Sequence, residues 1–513
     1  MDNQTIIAAQ QERRAFRAVA RCALLCLLLA GRAGAAWGPA QYIITPSYTS
    51  GGSWTASNNA RSLAVAGDTL FLVWTYSWAN TGHQVMYKYF DGSSWRGDST
   101  IGYLGNWRAH DWYPSCAADP AGRLHAVWEC GEYESGTGYD LSYTSIGRGG
   151  SSGQQHLVSS PSNTWHPVIA ATSDSRMYVC WQDDRSGGFK LEYKFLDGST
   201  WSGDLAVADS AVYASFPSLA ACGTGLGLVW QDYRSGTSQI HFTEYAGGAW
   251  GTDSAVSHST QGAFAPSLAC DQAGNFHVVW EDWRDGNSGI YYRRYDRAGH
   301  SWDPEVRLTD QPWRSREPMV VCRGDTLADV FWADDCSGSY RVISRQALRG
   351  AWGAESTLTS GWADQRCPAA AADARGNLYL VWTDFNIPTL AARPGLYFMS
   401  NIINPWPKGD AGAHGAGPVR QQLALQVHPN PARQQAMITF SSAQPTPEAA
   451  IIRIYAITGQ LVRTIISRAA ATGTGGVLWD CADQSGRRAA SGVYVITLAQ
   501  GSGSAIAKLT VVR

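Results

Sequence analysis

Short apolar runs of four to eight residues, separated by turns rich in Gly, Asp and Ser, dominate the chain from about residue 40 onward. Runs of this length that are rich in Val, Tyr and Trp predict β-strands. One stretch that begins at Pro266 reads "PSLACDQAG", "NFHVVW", "EDWRDGNSG", "IYYRRYD" and "RAGHSWDPEVRLT". Its pattern predicts four strands joined by tight turns.

This unit is repeated along the chain. Its central Trp recurs 49 to 54 residues apart, at Trp74, Trp128, Trp181, Trp230, Trp280, Trp332 and Trp382. A period near 50 with several short strands per copy is typical of β-propeller blades, whereas a helical solenoid would show a period of 3.6 residues. We therefore predict an all-β fold in which residues 37–403 form a seven-bladed β-propeller, with six blades as the alternative.

The seventh copy lacks its fourth strand. The segment "AQYIITPS" from Ala40 precedes the first copy as "EVRLTDQ" precedes the sixth, and is therefore predicted to supply the missing strand. Such pairing would close the ring and leave no open strand edge. A Trp in the last turn of several copies, as in "LDGSTW" and "YAGGAW", is predicted to pack between neighbouring sheets.

Segments of different composition flank the repeats. Residues 1–36 combine Arg13, Arg14 and Arg17 with the apolar run "AVARCALLCLLLAG" and small residues, the form of a secretory signal, with either general or twin-arginine export open. Residues 404–421 form a linker rich in Pro, Gly and Ala. Residues 422–513 alternate short strands and predict a small Ig-like β-sandwich. No other segment approaches the length of a membrane span.

Charge and cysteine content exclude several classes of function. The formal net charge of −2 gives no basic field for nucleic acid or anionic lipid. Nine of the 11 Cys lie beyond the signal segment, mostly inside apolar runs, so disulfides are possible without being the framework of the fold. No spacing of Cys, His or carboxylates predicts a metal site, and no motif predicts a cofactor.

The last sixth of the chain resembles a known family. "HPNP" from His428, "IYAITGQLVRTI", "WDCADQSGRRAASGVYVITL" and the closing "AKLTVVR" are similar to the Ig-like domains of the flagellar hook-capping type and the related type IX secretion sorting domains. Ala456 and Cys481 depart from the usual Asp and Gly. The resemblance implies interaction with bacterial secretion machinery and delivery through the periplasm to the outer cell surface or the medium. A plain Ig-like accessory domain is the alternative.

The repeats look like the sialidase-type propeller superfamily with degenerate Asp-box turns. The full box, Ser-x-Asp-x-Gly-x-x-Trp, occurs in no copy. The resemblance implies architecture, and activity does not follow from fold. Sialidases bind the substrate carboxylate with three arginines, and Arg61, Arg316 and Arg366, which begin inner strands, could supply part of such a triad.

The motif Trp-x-Asp-x-Arg occurs in three adjacent copies, as in Trp280, Asp282 and Arg284. Residues two apart on an extended chain point to the same side, so the Asp and Arg can pair or bond the free amides of the turn. A catalytic group is normally needed once. Repetition therefore favours a structural role for this motif.

Candidate functional residues lie where the copies differ. The second copy holds a carboxylate cluster, and Asp111 lies nearby; paired carboxylates are typical of glycoside hydrolysis, which makes Asp111, Glu132 and Glu134 weak catalytic candidates. The connections between copies are rich in aromatic residues that suit sugar rings or extended peptides. The predicted ligand-binding residues are Trp107, Trp112, Trp165, His166, Trp313, Arg316, Trp362 and Arg366.

Together these patterns predict an exported bacterial protein whose propeller binds a glycan or a protein ligand. A sialidase-like glycoside hydrolase and a purely structural display module are the alternatives. Whether the chain is an enzyme stays open at this stage, with binding favoured over catalysis.

Overall fold

The computed structural model describes residues 37–43, 51–55, 61–78, 82–92, 94–101, 109–132, 138–147, 150–158, 163–207, 213–336, 338–360, 363–385, 394–402, 423–442, 450–456, 461–467, 474–500 and 503–512. The predicted signal and linker segments lie outside these residues. The described residues form strands and turns without a helix, which confirms the all-β prediction. The chain divides into two compact units, Met1–Trp406 and Pro407–Arg513.

The first unit contains 34 strands within its described residues. The N-terminal segment contributes β1 (Gln41–Tyr42). The first two repeats contribute β2 (Gly51–Trp54), β3 (Leu63–Ala66), β4 (Thr69–Trp78), β5 (Gly82–Phe90), β6 (Trp95–Thr100), β7 (Ala109–Ala118), β8 (Leu124–Glu132), β9 (Asp140–Gly147), β10 (Gly150–Ser151) and β11 (Gln155–Val158). The third and fourth contribute β12 (Thr164–Ala171), β13 (Met177–Asp183), β14 (Lys190–Asp197), β15 (Thr200–Trp201), β16 (Leu205–Ala206), β17 (Ala214–Cys222), β18 (Gly225–Asp232), β19 (Gln239–Ala246), β20 (Ala249–Trp250) and β21 (Ser254–Ala255). The last three contribute β22 (Ala263–Cys270), β23 (Phe276–Asp282), β24 (Gly289–Asp296), β25 (Ser301–Trp302), β26 (Val306–Arg307), β27 (Ser315–Arg323), β28 (Leu327–Asp334), β29 (Arg341–Leu348), β30 (Ala351–Trp352), β31 (Ser356–Thr357), β32 (Asp364–Ala372), β33 (Leu378–Phe385) and β34 (Gly395–Asn401).

Each repeat folds as an antiparallel sheet. The third repeat has the order β12-β13-β14-β15, with β16 also paired to β14, and the fourth, fifth and sixth repeats have the same arrangement. The first two repeats join into one ten-stranded sheet through a parallel contact of β5 with β7 at His83 and His110. We call β3, β7, β12, β17, β22, β27 and β32 the inner strands.

The N-terminal strand completes the last sheet, as the sequence predicted. β1 pairs antiparallel with β34, with Gln41 opposite Phe398 and Tyr42 opposite Tyr397. A backbone hydrogen bond from the Gly38 N–H to the Ser400 carbonyl (2.8 Å) extends the pairing. The edge that the seventh repeat would otherwise leave open is therefore covered.

Apolar seams join each repeat to the next. The central Trp of every repeat is at most 2% exposed. Separate core clusters contain residues of two neighbouring repeats, and one of them joins the seventh repeat to the first. Propeller-like packing is thereby confirmed; the blade number stays a prediction, and the seven seams among the described residues favour seven over six.

The Trp of the last turn fills these seams. Trp201 packs edge-on against Tyr143 of the preceding repeat (ring centroids 5.0 Å apart), and Trp250 packs against Tyr193 (5.7 Å) in the same way. Edge-to-face packing of this kind is favourable beyond the area it buries. The predicted packing role of these residues is confirmed.

The second unit consists of two sheets around one core. Its strands are β35 (Leu423–His428), β36 (Ala436–Ser442), β37 (Ala450–Ala456), β38 (Leu461–Ser467), β39 (Thr474–Trp479), β40 (Gly492–Gln500) and β41 (Gly503–Val511). The sheet orders are β35-β36-β39 and β38-β37-β40-β41. Ile438 and Trp479 of the first sheet share a buried cluster with Ile452 and Ile496 of the second.

Candidate ligand-binding face of the propeller

The repeated Trp-x-Asp-x-Arg motif ties a turn together. The carboxylate of Asp282 accepts hydrogen bonds from the Trp280 indole (2.9 Å) and from the backbone N–H of Arg284 (3.0 Å), and it pairs with the Arg284 guanidinium (2.5 Å). Burial alone would raise the pKa of Asp282, but the bonds from Arg284, Trp280 and Ser259 bring it below its ordinary value. The same bonds form at Asp183 and Asp232. The predicted structural role is confirmed.

Six inner strands begin with a bulge at a residue that precedes a proline. Each of these residues has φ between 47° and 57°, in the left-handed region that non-glycine residues rarely adopt. The strand register shifts at the same point in each repeat, for example between Trp165 and Val168. The residues are Tyr113, His166, Phe216, Ala265, Glu317 and Cys367.

A side chain from the preceding repeat holds several of these bulges. The acceptor is the Glu or Gln that follows the central Trp, and the donor is the backbone N–H of the left-handed residue. The bonds join Glu129 to His166 (2.6 Å), Gln231 to Ala265 (2.8 Å) and Glu281 to Glu317 (2.8 Å). At these three bulges, strain is thus offset by a hydrogen bond across the seam. This acceptor was missed from sequence, although the recurring Glu or Gln after Trp was a visible signal.

The bulges form a ring, which we call the entry ring. It comprises the two residues before the proline in each inner strand, and the strand registers place Trp54 and Thr55 at the equivalent position of the first repeat. Four sequence-predicted binding residues share one position of this ring in four different repeats: Trp112, Trp165, Arg316 and Arg366.

One arc of the entry ring is aromatic. The His166 ring lies 5.2 Å from Tyr113 and 4.3 Å from Phe216, so three neighbouring repeats present consecutive rings. Trp112 stacks on His83 (3.6 Å), and Trp165 packs edge-on against Phe189. These two Trp side chains are partly exposed.

The opposite arc is charged. Glu317 accepts a bond from the Cys367 N–H (2.7 Å) and forms an ion pair with Arg366. The Arg366 guanidinium also lies over the Tyr340 ring (4.9 Å), and that of Arg316 lies over Trp283 (5.7 Å).

Arg316 differs from Arg366 in its partners. The structure gives Arg316 no ion pair among the described residues, whereas Arg366 pairs with Glu317; the Nε atoms of both arginines are buried without a hydrogen-bond partner. A buried donor of this kind is costly unless a ligand or water bonds it. Arg316 is therefore the cation of the entry ring with capacity for an incoming anionic group.

Burial shifts the titration of several groups around the entry ring. It raises the pKa of Glu129 to about 8 and that of Glu281 to about 7. It lowers the pKa of His166 to about 4, so this imidazole is neutral at pH 7. The first two carboxyls hold bulges and are at most 8% exposed, so they support the ring from beneath.

The structure places the remaining predicted residues separately. Trp107, Trp362 and Glu134 lie outside the described residues, as does the side chain of Glu132. Trp313 is 41% exposed, and its carbonyl accepts a bond from Asn287 (3.1 Å).

Asp111 is 1% exposed, and burial raises its pKa to about 7. Asp111 lies beside Trp128. In this second repeat, Cys130 stands two residues after the central Trp, at the position that holds Asp in the Trp-x-Asp-x-Arg motif. The location of Asp111 suits a residue that replaces the structural Asp of the motif, which this repeat lacks. Arg61 lies in the central cavity, away from the entry ring.

Comparisons with known proteins agree with this architecture. Residues 426–512 match the family described as the secretion system C-terminal sorting domain. The comparison with curated proteins found no match. The sorting domain makes the chain a secreted or cell-surface protein, and none of the described segments forms a helix suited to crossing a membrane.

Solved structures resemble the chain in fold. An ulvan lyase, a polysaccharide lyase, is 11% identical with a TM-score of 0.50, covering 69% of this chain and 94% of its own. PorZ, a surface component of the type IX secretion system of Porphyromonas gingivalis, is 16% identical with a TM-score of 0.41, covering 89% of this chain and 60% of its own. An α-L-arabinanase from Penicillium chrysogenum is 15% identical with a TM-score of 0.39, covering 56% and 92%. At such identities the likeness concerns the fold alone.

Proposed function

We propose that the entry ring binds an extended carbohydrate that carries acidic groups, and that the sorting domain delivers this binding module to the cell surface or medium. The observation that carries the proposal is the shared position of Trp112, Trp165, Arg316 and Arg366 in the second, third, sixth and seventh repeats. Aromatic faces suit the apolar faces of sugar rings. A guanidinium suits a carboxylate or sulfate, which it can bind with two parallel hydrogen bonds.

The division of the entry ring into arcs supports an extended ligand. The aromatic arc covers the second to fourth repeats through Tyr113, His166 and Phe216. The charged arc covers the sixth and seventh repeats. A polymer that crosses the ring can contact both arcs at once, whereas a single sugar would contact one.

Binding to polysaccharides tests the proposal. The purified protein would be run in native gels that contain a uronate-rich, a sulfated or a neutral polysaccharide. We expect retardation by the acidic polymers. Trp165→Ala should weaken binding to every polymer that binds, and Arg316→Gln should weaken binding to acidic polymers by about tenfold, or 1.4 kcal/mol.

A matched control for Arg316→Gln is available elsewhere on the propeller. Arg176 lies at the opposite end of the third repeat and forms an exposed ion pair with Asp197. Arg176→Gln removes the same charge and should bind like the unaltered protein. If Arg316→Gln and Arg176→Gln were retarded equally, the role of the charged arc would be wrong.

The same samples address the hydrolase alternative. Release of reducing ends from any of the polymers, abolished by Glu132→Gln, would favour catalysis over binding. Retardation without release would favour the proposed binding function. Absence of both would favour the display alternative.

A further inference from the structure

Arg61 takes the place of a proline in the first repeat. The strand registers align "RSLAVAG" from Arg61 with "PSLACDQAG" from Pro266. In the other repeats this position holds Pro114, Pro167, Pro217, Pro318 and Pro368. A long cationic side chain thus replaces a small apolar ring at one of seven equivalent positions.

This position faces a cavity on the axis of the propeller. The cavity has a volume of about 260 Å³ and is lined by residues of all seven inner strands. Ala, Leu, Val, Ile and Cys residues form the lining, and Arg61 is the one charged residue in it. We call this cavity the lumen.

The Arg61 side chain crosses the lumen. Its Nη2 atom donates a hydrogen bond to the carbonyl of Leu268 in the fifth repeat (2.5 Å). A guanidinium has five N–H donors, and this is the one side-chain bond that the structure gives Arg61 among the described residues. No carboxylate of the described residues forms an ion pair with it, so four donors and a full charge remain without a protein partner.

An unbalanced guanidinium in this setting is unfavourable. Burial lowers the pKa of Arg61, and the thiols of Cys322 and Cys116 beside it are neutral because burial raises their pKa values as well. Arginine nevertheless stays protonated in proteins, so it cannot escape the cost by releasing its proton. A counterion in the lumen would remove this cost.

The backbone around the lumen can assist a counterion. Most inner strands are edge strands of their sheets, and an edge strand presents a row of N–H and C=O groups on its outer side. Hydroxyls of the neighbouring repeat accept hydrogen bonds from some of these N–H groups. The Ser218 hydroxyl, for example, accepts one from the Leu268 N–H (3.2 Å).

We propose that the lumen is a binding site for one small oxyanion, of the size of acetate or phosphate, held by the free donors of Arg61. The site is independent of the entry ring and of the carbohydrate proposed to bind there. It neutralises the one cation of the lumen and thereby stabilises the closed ring of repeats.

Thermal unfolding of the full chain tests the proposal. Sodium acetate and sodium phosphate would be titrated in a low-salt zwitterionic buffer. Because a ligand that binds the folded state raises its stability, we expect Tm of the unaltered protein to rise by a few degrees and to saturate. Arg61→Met should lose the saturating rise, and its Tm without added anion should equal or exceed that of the unaltered protein, since it lacks the unbalanced charge.

A second pair of variants keeps Arg61 in place. Cys322 lines the lumen close to Arg61. Cys322→Asp would supply a built-in counterion and should abolish the response to both anions. Cys322→Ser has a similar size without the charge and should keep the response.

Direct binding completes the test. Equilibrium dialysis with labelled phosphate should find about one site per chain in the unaltered protein and in Trp165→Ala, and none in Cys322→Asp. An equal anion response in the unaltered protein and in either Arg61→Met or Cys322→Asp would overturn the proposal. If Arg61→Met did not fold, the Cys322 pair would decide alone.

Discussion

At the scale of single residues, the Glu or Gln after the central Trp links neighbouring repeats. Gln231 and Glu281 make the same bond to the next bulge, at 2.8 Å in both cases. A neutral amide and a carboxyl are therefore interchangeable acceptors here. The two groups differ in titration, because the carboxyl can lose its proton and then carry a buried negative charge, whereas the amide cannot.

We expect Glu129→Gln to make stability less dependent on pH. The folded pKa of Glu129 is about 8 against an ordinary value of 4.5, so between these values the folded state keeps a proton that the unfolded state releases. Stability from this group is full below about pH 4.5 and is lost as pH rises through 8. Relative to the unaltered protein, the variant should gain about 2 kcal/mol or more between pH 5 and pH 8.5, as measured by urea unfolding at each pH.

The reverse substitution is the matched control. Gln231→Glu should introduce the pH dependence that Glu129→Gln removes, since the acceptor is buried in the same way. Parallel pH profiles for the unaltered protein and Glu129→Gln would contradict the assignment. A loss of stability that is equal at pH 5 and pH 8.5 would result from altered packing and not from titration of the carboxyl.

At the scale of elements, a disulfide joins two inner strands. Cys222 at the end of β17 and Cys270 at the end of β22 are bonded, with their Cα atoms 5.7 Å apart. The sequence allowed disulfides without predicting this pair, because both residues lie in apolar runs like those of the free cysteines. The bond links the fourth and fifth repeats at the edge of the lumen.

Removing this disulfide should lower the free energy of unfolding. The cross-link closes a loop with a sequence separation of 48 residues. The chain-entropy relation gives about 4 kcal/mol for such a loop, and about 2–4 kcal/mol is usual in practice. Denaturant unfolding of the Cys222→Ser, Cys270→Ser double variant would measure it, with the free, buried Cys180→Ser as control. A double variant as stable as this control would contradict the expectation.

The strands and turns also show which features of the fold could be predicted from the sequence. The spacing of the Trp residues predicted the repeats, the apolar runs predicted the strands within each repeat, and "AQYIITPS" was correctly placed beside the last repeat. The left-handed bulges were not foreseen, because Tyr113, Ala265 and Glu317 share no side-chain chemistry. At Ala265 and Glu317, the acceptor of the bulge N–H comes from the preceding repeat and is therefore distant in sequence from the bulge.

The candidate site was predictable to a similar degree. Aromatic and arginine residues in the connections marked Trp112, Trp165, Arg316 and Arg366, which the fold brings to one position of the entry ring. Arg61 was grouped with the latter two, since all three begin inner strands. Only the closed ring separates it from them, by directing its side chain into the lumen.

At the scale of the whole molecule, the sorting domain and the propeller are separate compact units. Deleting residues 426–512 removes the segment that matches the sorting family. We expect the truncated chain to fold its propeller and to remain in the periplasm. Cell fractionation with protease accessibility on intact cells would measure this.

The control for that deletion keeps the tail and alters the propeller. Trp165→Ala should reach the surface in normal amounts, since its defect lies in binding. Surface delivery of the truncated chain at the level of the full chain would show that the tail has no sorting role.

The pairing of β1 with β34 also sets an order of assembly. Tyr42 faces Tyr397, so the last sheet is incomplete until the two ends of the propeller segment meet. Contacts between such distant residues are slow to form. A circular permutant of the propeller that joins residue 402 to residue 37 through a short Gly/Ser linker and opens at the exposed Gly247 turn would keep the β1–β34 pair and make this contact local. Its refolding rate, compared with that of the natural order, would show whether ring closure is the slowest step.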